Sequence, residues 1–238
     1  MSVLVVTGTG TEVGKTVVTA AVAAAALAAG RSVAVLKPAQ TGVAVNEPGD
    51  VAEVLRLAGP VTGVELGRFP EPLAPATAAR RAGLAPVRPA EIVRAARELA
   101  LTHDLVLIEG AGGLLVRLDE EGSTLADVAG LLDAPVLVVA QAGLGTLNVT
   151  TLTAEALAAR GLRRAGVVIG SWPAAPDLAM RCNLPELPEA AGAALLGALP
   201  EGAGSLAPAD FRQGAVNWLA PELSGTWDAA RFAAAQGV

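Results

Sequence analysis

The sequence has few of the residues that build disulfide frameworks, cysteine or histidine metal clusters, or aromatic cores. Cys182 is the single cysteine and His103 the single histidine among 238 residues, so neither a disulfide framework nor a zinc-type cluster is expected. Aromatic residues make up 3% of the chain, and tyrosine is absent. The core must therefore be filled by Val, Leu, Ile and Ala, and a lone cysteine favours the cytoplasm.

Long apolar runs and clustered basic residues are also missing. Residues 17–29 form the longest apolar run, which is too short and too alanine-rich to span a bilayer. The formal net charge is −6, without a block of consecutive Lys or Arg, so we expect no nucleic-acid-binding surface. A chain of this length can bury a full core, and we expect one domain over residues 1–238 without a membrane or nucleic-acid partner.

The clearest motif is a glycine-rich stretch near the N-terminus. Residues 3–16 read VLVVTGTGTEVGKT, in which a short buried-strand pattern is followed by glycines and by Lys15-Thr16 at the start of an alanine-rich run. Strand, glycine-rich turn and helix start together predict a phosphate-binding loop. Lys15 would reach the β- and γ-phosphates, and the Thr16 hydroxyl would hold Mg²⁺. Gly8 comes one residue early, so the loop is one residue longer than the standard motif.

Polar residues follow two other buried-strand patterns. Lys37 follows residues 32–36 and Glu109 follows residues 105–108, and ligands of parallel α/β sheets bind beyond the carboxyl ends of strands. Glu109 suits a Mg²⁺ ligand, although N–H groups of the next turn could satisfy it instead. For Lys37, a surface lysine before a turn is an equally good interpretation. Asp50 could cap the following helix or lie beside Mg²⁺ or phosphate.

The rest of the chain alternates strand and helix patterns. Residues 59–88, rich in Pro, Gly and Ala, are predicted to form an ordered loop with short helical pieces that lines a site. Residues 143–148 (GLGTLN) open a helix and are a second, weak candidate anion site. Further strand patterns occur at 135–140, 164–170 and 195–199. The alternation predicts an α/β fold of the P-loop NTPase type, with a mostly parallel sheet and helices on both faces.

Four signatures resemble the dethiobiotin synthetase family. They are residues 8–16 (GTGTEVGKT), Lys37-Pro38 with Thr41-Gly42, residues 109–113 (EGAGG) and residues 143–148. The longer glycine loop is typical of that family, and the similarity covers nearly the whole chain. The resemblance implies a homodimeric, Mg²⁺- and nucleotide-dependent carbon–nitrogen cyclo-ligase of the penultimate step of biotin biosynthesis. Its substrate, 7,8-diaminononanoate, would take up CO₂ as a carbamate, which the nucleotide activates before ring closure to dethiobiotin.

The resemblance also implies a role for each matching residue. The nucleotide site would comprise Glu12, Val13, Gly14, Lys15, Thr16, Val17, Asp50, Glu109, Gly110, Ala111 and Gly112. Mg²⁺ would be held by Thr16, Asp50 and Glu109. The diamine or its carbamate would bind Thr11, Lys37 and Thr41, and the catalytic residues would be Lys37, Lys15 and Thr11. The distant carboxylate of the substrate would bind a helix start of the partner subunit, Leu144, Gly145, Thr146, Leu147 and Asn148.

One departure from the family concerns the nucleotide base. Where family members often carry an asparagine that reads adenine, this chain has Gly170-Ser171-Trp172-Pro173. The base would then meet backbone groups of Gly170, Ser171, Pro200, Glu201 and Gly202. We therefore predict relaxed base choice, in which ATP or another nucleoside triphosphate serves and cytidine triphosphate is a candidate.

Three other interpretations compete with this one. A dimeric switch ATPase of the partition or iron-protein type would share the fold, but it carries an early loop lysine where this chain has Gly10. A cobyrinate-type amidotransferase usually adds a glutaminase domain with a cysteine nucleophile, for which this chain has no room. A nucleotide-binding protein without chemistry is disfavoured by Lys37, Thr41 and Glu109.

Overall fold

The computed structural model describes residues 3–238, in which seven strands form one sheet. The strands are β1 (Val3–Gly8), β2 (Val33–Thr41), β3 (Thr62–Phe69), β4 (Leu105–Gly113), β5 (Val136–Ala140), β6 (Arg164–Trp172) and β7 (Leu195–Pro200). Their spatial order is β3-β2-β4-β1-β5-β6-β7, and every neighbouring pair is parallel. The predicted parallel sheet is confirmed. Residues 1 and 2 of the expected domain lie outside the described residues.

Helices make the crossovers that parallel strands require. They are α1 (Lys15–Ala28), α2 (Asp50–Ala58), α3 (Pro75–Ala82), α4 (Pro89–Ala100), α5 (Leu125–Leu132), α6 (Thr146–Ala158), α7 (Leu178–Ala191), α8 (Pro208–Trp218) and α9 (Ala229–Ala235). α1 and α2 lead toward the β3 edge, whereas α4 to α7 lead toward the β7 edge. Because such crossovers are right-handed, the reversal places these helices on opposite faces. None of the described helices is long and apolar enough to cross a membrane.

The alanine-rich helix α1 is the centre of one layer. It packs against α2 and α8 as well as against the sheet. Every residue from 18 to 26 is buried, as expected for a helix that is apolar all round. Its small side chains let the neighbouring elements approach closely. The phosphate loop is therefore attached to the most enclosed helix of the fold.

Strands β2 and β4 extend further than predicted, and this changes the position of Lys37 and Glu109. β2 continues to Thr41 and β4 to Gly113, so Lys37 and Glu109 lie within strands rather than after them. β2 pairs with β4 only up to Leu36, although it pairs with β3 as far as Thr41. The sheet therefore opens between β2 and β4 directly before Lys37.

Two predictions for connecting segments were wrong or incomplete. Residues 59–88 are not a loop with helical pieces alone, because β3 forms the edge of the sheet there. Its residues are mostly half-exposed, so it lacks the buried-strand pattern. α7 was not predicted, because Pro185 and Pro188 lie inside it and proline normally argues against a helix interior. Asp177 caps α7 by accepting a hydrogen bond from the N–H of Met180 at 2.7 Å.

Candidate active site

The loop between β1 and α1 has the tight backbone that the motif predicts. Gly14 immediately precedes α1 with φ 93°, and a Cβ there would lie 2.8 Å from the carbonyl oxygen of Gly170. Glu12 also has a left-handed φ of 59°, which is uncommon for a residue with a side chain. The Nζ of Lys15 donates to the carbonyl oxygen of Gly10 at 2.8 Å. The lysine ammonium is thus held at the loop that would wrap a polyphosphate.

Lys37 lies at the centre of the candidate site. Its Nζ is 2.5 Å from Oδ2 of Asp50 and 2.9 Å from Oε1 of Glu109, and it donates to the carbonyl oxygen of Gly110 at 3.2 Å. The side chain is 3% exposed, so the interpretation of Lys37 as a surface lysine was wrong. Burial lowers its pKa, but the two carboxylates outweigh burial, and the pKa of Lys37 is raised above its ordinary value. Lys37 is a cation at neutral pH.

A second lysine shares this electrostatic environment. Burial lowers the pKa of Lys15, and the positive charge of Lys37 lowers it further, against the opposing effect of Glu109 and Asp50. Two lysines are therefore directed into one site, where the charge of Lys37 disfavours the charge of Lys15. An anion with several negative oxygens would relieve this repulsion, because it can contact both ammonium groups.

Thr16 and Glu109 form the second polar contact of the site. The Thr16 hydroxyl donates to Oε1 of Glu109 at 2.9 Å. Oε2 of Glu109 is buried without a hydrogen-bond partner among the described residues, and an unpaired buried carboxylate oxygen is costly. A divalent cation would satisfy this oxygen.

The donor set fits Mg²⁺ rather than a metal held by protein alone. Thr16, Asp50 and Glu109 carry hydroxyl and carboxylate oxygens, the hard ligands that Mg²⁺ prefers. Within residues 3–238 no group of three or more His, Cys, Asp or Glu side chains could hold a metal ion. Phosphate oxygens and water would have to complete the coordination, as is usual at nucleotide sites.

A cavity of about 780 Å³ joins these groups at the carboxyl edge of the sheet. The predicted residues that line it are Thr11, Glu12, Gly14, Lys15, Thr16, Val17, Lys37, Thr41, Asp50, Glu109, Ala111 and Gly112. Val13 is buried beside it, and Gly110 contributes its carbonyl oxygen to Lys37. The structure therefore brings together the predicted phosphate, metal and carbamate residues in one cavity.

The predicted base-binding residues lie beside that cavity, not in it. A Cβ at Gly170 would collide with the carbonyl oxygen of Val13, so the end of β6 packs directly against the phosphate loop. The N–H of Glu201 donates to the carbonyl oxygen of Trp172 at 2.8 Å, which joins the ends of β6 and β7. Ser171 and the turn at residues 200–202 thus occupy adjacent strand ends next to the loop.

The second candidate anion site lies outside the cavity within one chain. α6 begins at Thr146, directly after Gly145 with φ 93°. The Thr146 hydroxyl donates to the carbonyl oxygen of Gln141 at 2.6 Å, so this side chain serves the turn itself. Leu144 is 92% exposed and Asn148 is exposed. These two residues of the helix start are therefore accessible at the surface of the chain.

Comparison with known proteins supplies the family. A family model described as an AAA domain matches residues 2–208. The ATP-dependent dethiobiotin synthetase of Streptomyces coelicolor is 70% identical over 232 residues, which cover 98% of each chain. That of Saccharopolyspora erythraea is 72% identical over 95% of this chain and 99% of its own. The chain belongs to the dethiobiotin synthetase family. The resemblance inferred from the four signatures is confirmed.

Solved structures show the same fold at low sequence identity. A ParA family ATPase from Chlorobium tepidum has a TM-score of 0.56 at 14% identity and covers 98% of this chain and 97% of its own. The septum site-determining protein MinD from Pyrococcus horikoshii, solved with Mg-ADP, has a TM-score of 0.55 at 16% identity over 89% of each chain. These likenesses confirm the P-loop NTPase-like fold, and at this sequence identity they show the fold alone. The switch-ATPase alternative is not favoured, because the high-identity relatives are dethiobiotin synthetases.

Sequence reasoning missed part of this dethiobiotin synthetase cavity. The lining residues that were not predicted are Ala39, Gln40, Val43 and Val116, whereas Pro72, Leu73, Ala74 and Pro75 belong to residues 59–88, which were predicted to line a site. Most are apolar, which suits the alkyl chain of a diamino acid. Gln40 is the polar exception and is 4% exposed. Gln40 follows Lys37 by three residues on the part of β2 that was not predicted. That position was the signal from which its place in the cavity could have been inferred.

Proposed function

We propose that the chain catalyses the nucleotide-driven carboxylation and ring closure of 7,8-diaminononanoate to dethiobiotin, as a cytoplasmic enzyme of biotin biosynthesis. Relatives named ATP-dependent dethiobiotin synthetase, 70% and more identical over nearly the whole chain, support this activity. The observation that carries it in the site is the buried Lys37 between Asp50 and Glu109, beside a phosphate loop that holds Lys15.

The reaction divides into three steps in which this chain mainly positions groups and neutralises charge. One amine adds to CO₂ and loses a proton, which gives a carbamate. A carbamate oxygen then attacks the γ-phosphorus, the bond to the β-phosphate oxygen breaks, and a carbamic–phosphoric anhydride forms with release of the nucleoside diphosphate. The second amine attacks the carbamate carbon and loses a proton, the bond from that carbon to the phosphate oxygen breaks, and the ureido ring closes with release of phosphate.

The lysines would carry most of the charge stabilisation. Lys37 would contact the carbamate and the transferring phosphoryl group, and Lys15 the β- and γ-oxygens. Thr11 and Thr41, which line the same cavity, would hydrogen-bond the amines or the carbamate. When Mg²⁺ is bound by Thr16, Asp50 and Glu109, it would neutralise phosphate charge.

The base of the nucleotide would meet backbone groups at the ends of β6 and β7. No asparagine side chain is available at Gly170-Ser171 to read adenine. We propose that the enzyme accepts several nucleoside triphosphates and that cytidine triphosphate is among them. Competition between ATP and cytidine triphosphate at equal concentration checks this, and strong preference for ATP would contradict it.

The active enzyme is proposed to be a homodimer of one-domain subunits, each spanning residues 1–238. Leu144 and Asn148 at the start of α6 are exposed and lie outside the cavity of their own chain, which leaves this helix start open to the cavity of another subunit. There its N-terminal N–H groups would bind the distant carboxylate of the diamino acid.

Phosphate release and product formation test the proposed function together. The assay contains 7,8-diaminononanoate, bicarbonate, Mg²⁺ and one nucleoside triphosphate, with the diamine left out as control. We expect phosphate release that requires the diamine and matches the cyclic urea formed. Hydrolysis indifferent to the diamine would overturn the proposal and favour a switch ATPase.

A further inference from the structure

Gln40 is a buried polar residue of the cavity to which no role has yet been assigned. It lies on β2, where it pairs in register with Arg68 of β3. Its side chain is nearly inaccessible and lines the same cavity as Lys37 and Asp50. A buried amide side chain normally has hydrogen-bond partners; the Nε2 of Gln40 donates to the carbonyl oxygen of Thr41 at 3.3 Å, and its Oε1 faces Asp50 on the metal and phosphate side of the cavity.

The Oε1 of Gln40 accepts a hydrogen bond from the backbone N–H of Asp50 at 2.7 Å. Asp50 is the first residue of α2, and its N–H is among those that no helical carbonyl can satisfy. The preceding residue, Gly49, makes no capping hydrogen bond and has no side chain for one. Gln40 therefore caps α2 from a neighbouring strand. The same residue, Asp50, places its carboxylate against Lys37.

Gly49 makes this approach possible. A Cβ at that position would lie 2.7 Å from Oε1 of Gln40 and 2.9 Å from Nη2 of Arg68. A side chain at position 49 would have to push aside both the amide of Gln40 and the guanidinium of Arg68, so glycine lets the chain pass directly over the two residues. The start of α2 is thus seated on the carboxyl ends of β2 and β3.

Arg68 holds the loop that leads into α2. Its Nη1 donates to the carbonyl oxygens of Ala44 at 2.9 Å and Glu47 at 2.8 Å. Glu65 fixes the guanidinium from the other side through two hydrogen bonds of 2.7 and 2.9 Å. Gln40 and Arg68 together fix the loop and the first turn of α2.

We propose that Gln40 is a positioning residue of the reaction, which acts by holding the Asp50 carboxylate against Lys37 and the metal side of the cavity. This inference rests on the proposed function. The body of α2 does not depend on Gln40, because Val54, Leu57 and Ala58 are buried in the core. Loss of the Gln40 hydrogen bond would therefore displace the first turn of α2 without unfolding the helix.

Three variants test the role of Gln40. Gln40→Met keeps the length of the side chain but can neither accept from Asp50 nor donate to Thr41, whereas Gln40→Glu loses only the donor to Thr41 and keeps the acceptor oxygen. Gln213→Met is the matched control, since Gln213 is exposed on α8. We expect Gln40→Met to lower kcat about tenfold with a much smaller change in nucleotide KM, because misplaced groups act on the transition state. Gln40→Glu should recover most of this loss.

A double-mutant cycle separates positioning from general destabilisation. If Gln40 acts through Asp50, Gln40→Met should add little to the loss of kcat in Asp50→Asn. Additive losses, an unchanged kcat in Gln40→Met, or equal losses in Gln40→Met and Gln40→Glu would each overturn the proposal.

Hydrogen exchange of the Asp50 amide provides a readout without catalysis. Exchange should be faster in Gln40→Met than in the wild type, and close to wild type in Gln40→Glu and Gln213→Met. Unchanged exchange in Gln40→Met would overturn the proposal even if activity fell. If the wild type formed no cyclic urea, the proposed function would fail, while this comparison would still decide whether Gln40 holds Asp50.

Discussion

The Nζ of Lys37 lies 2.9 Å from Oε1 of Glu109, on two strands that have just ceased to pair. The last paired residues of β2 and β4 are Leu36 and Ile108, so each charged residue follows directly after the last pair. The separation of the strands makes room for the cavity, and burial on both sides forces the two charges to meet. The two charged side chains thus lie where β2 and β4 separate and the cavity begins.

Replacement of Lys37 should remove catalysis more than nucleotide binding. In Lys37→Met the carbamate and the transferring phosphoryl group lose their buried cation, and we expect kcat to fall more than about a hundredfold. Nucleotide affinity, measured by calorimetry, should change little, because Lys15 and the loop remain. Lys15→Met is the contrasting variant and should lose affinity. Either retained activity or a loss of nucleotide binding in Lys37→Met would contradict these roles.

Replacement of Glu109 should raise the Mg²⁺ requirement. Glu109→Gln keeps the shape of the side chain but removes the charge of a buried carboxylate whose Oε2 has no hydrogen-bond partner within residues 3–238. We expect the Mg²⁺ concentration for half-maximal activity to rise about tenfold, as charge loss weakens oxygen coordination. Glu53→Gln serves as control, because Glu53 pairs with Arg56 away from the cavity. An unchanged Mg²⁺ dependence would exclude Glu109 as a ligand.

Substitutions at the end of β6 should separate base choice from phosphate binding. Ser171→Asn offers an amide at the exposed position after Gly170 and should increase the preference for ATP over cytidine triphosphate. Gly170→Ala should weaken binding of both nucleotides equally, because its methyl group would meet the carbonyl oxygen of Val13 in the phosphate loop. Competition assays with both nucleotides measure the two effects. If base preference changed in Gly170→Ala but not in Ser171→Asn, the base would be selected at Gly170 rather than at Ser171.

The sequence predicted those parts of the fold whose signal is local. The phosphate loop, the alternation of buried strands with helices and the acid after residues 105–108 each follow from residue pattern and turn chemistry. β3 escaped prediction because an edge strand is half-exposed, and its glycines and charged residues resemble a loop. α7 escaped because Pro185 and Pro188 oppose a helix by local rules, whereas tertiary packing of Leu184 and Leu187 in the core overrides them.

The candidate site was predictable in residue type but not in arrangement. Lys37 could be a surface residue or a buried cation, and only the extension of β2 beyond its pairing with β4 decides between them. The contact between Gln40 and Asp50 spans ten positions and depends on the register of β2 with β3 and on Gly49. Such contacts depend on packing, which no motif encodes.

Asp104 should stabilise the fold in a pH-dependent way. Its Oδ2 accepts hydrogen bonds from the N–H of Ser32 at 2.8 Å and from the Ser32 hydroxyl at 2.7 Å, which lowers the pKa of Asp104 below the ordinary value of 3.8. The unfolded chain binds this proton at higher pH, so the stabilisation is full above 3.8 and is lost as pH falls through the folded-state pKa. Asp104→Asn should therefore be less stable than the wild type at neutral pH, with a difference that shrinks toward acid pH. Urea unfolding across this range checks the prediction, with Glu98→Gln as an exposed control, and a constant difference would contradict it.

Subunits with different defects should restore activity to each other if the helix start of α6 completes the partner's site. Asn148→Asp places a carboxylate in the first turn of α6, where it would repel the substrate carboxylate while the helix dipole favours it. Each variant alone, Asn148→Asp or Lys37→Met, should have little activity. A mixed dimer combines the intact Lys37 of one subunit with the intact Asn148 of the other in one of its two sites. Random mixing of subunits should therefore give about a quarter of wild-type activity.

A matched pair of variants shows whether the restoration requires sharing of a site. Lys37→Met mixed with Thr16→Ala should restore nothing, because both residues line the same cavity of one chain and each cavity of the mixed dimer then carries a defect. Co-expression with two different affinity tags isolates the mixed dimers before the assay. Mixed dimers of Lys37→Met and Asn148→Asp without activity would mean that α6 serves no neighbouring site, and the carboxylate of the substrate would then need its partner within the cavity of one subunit.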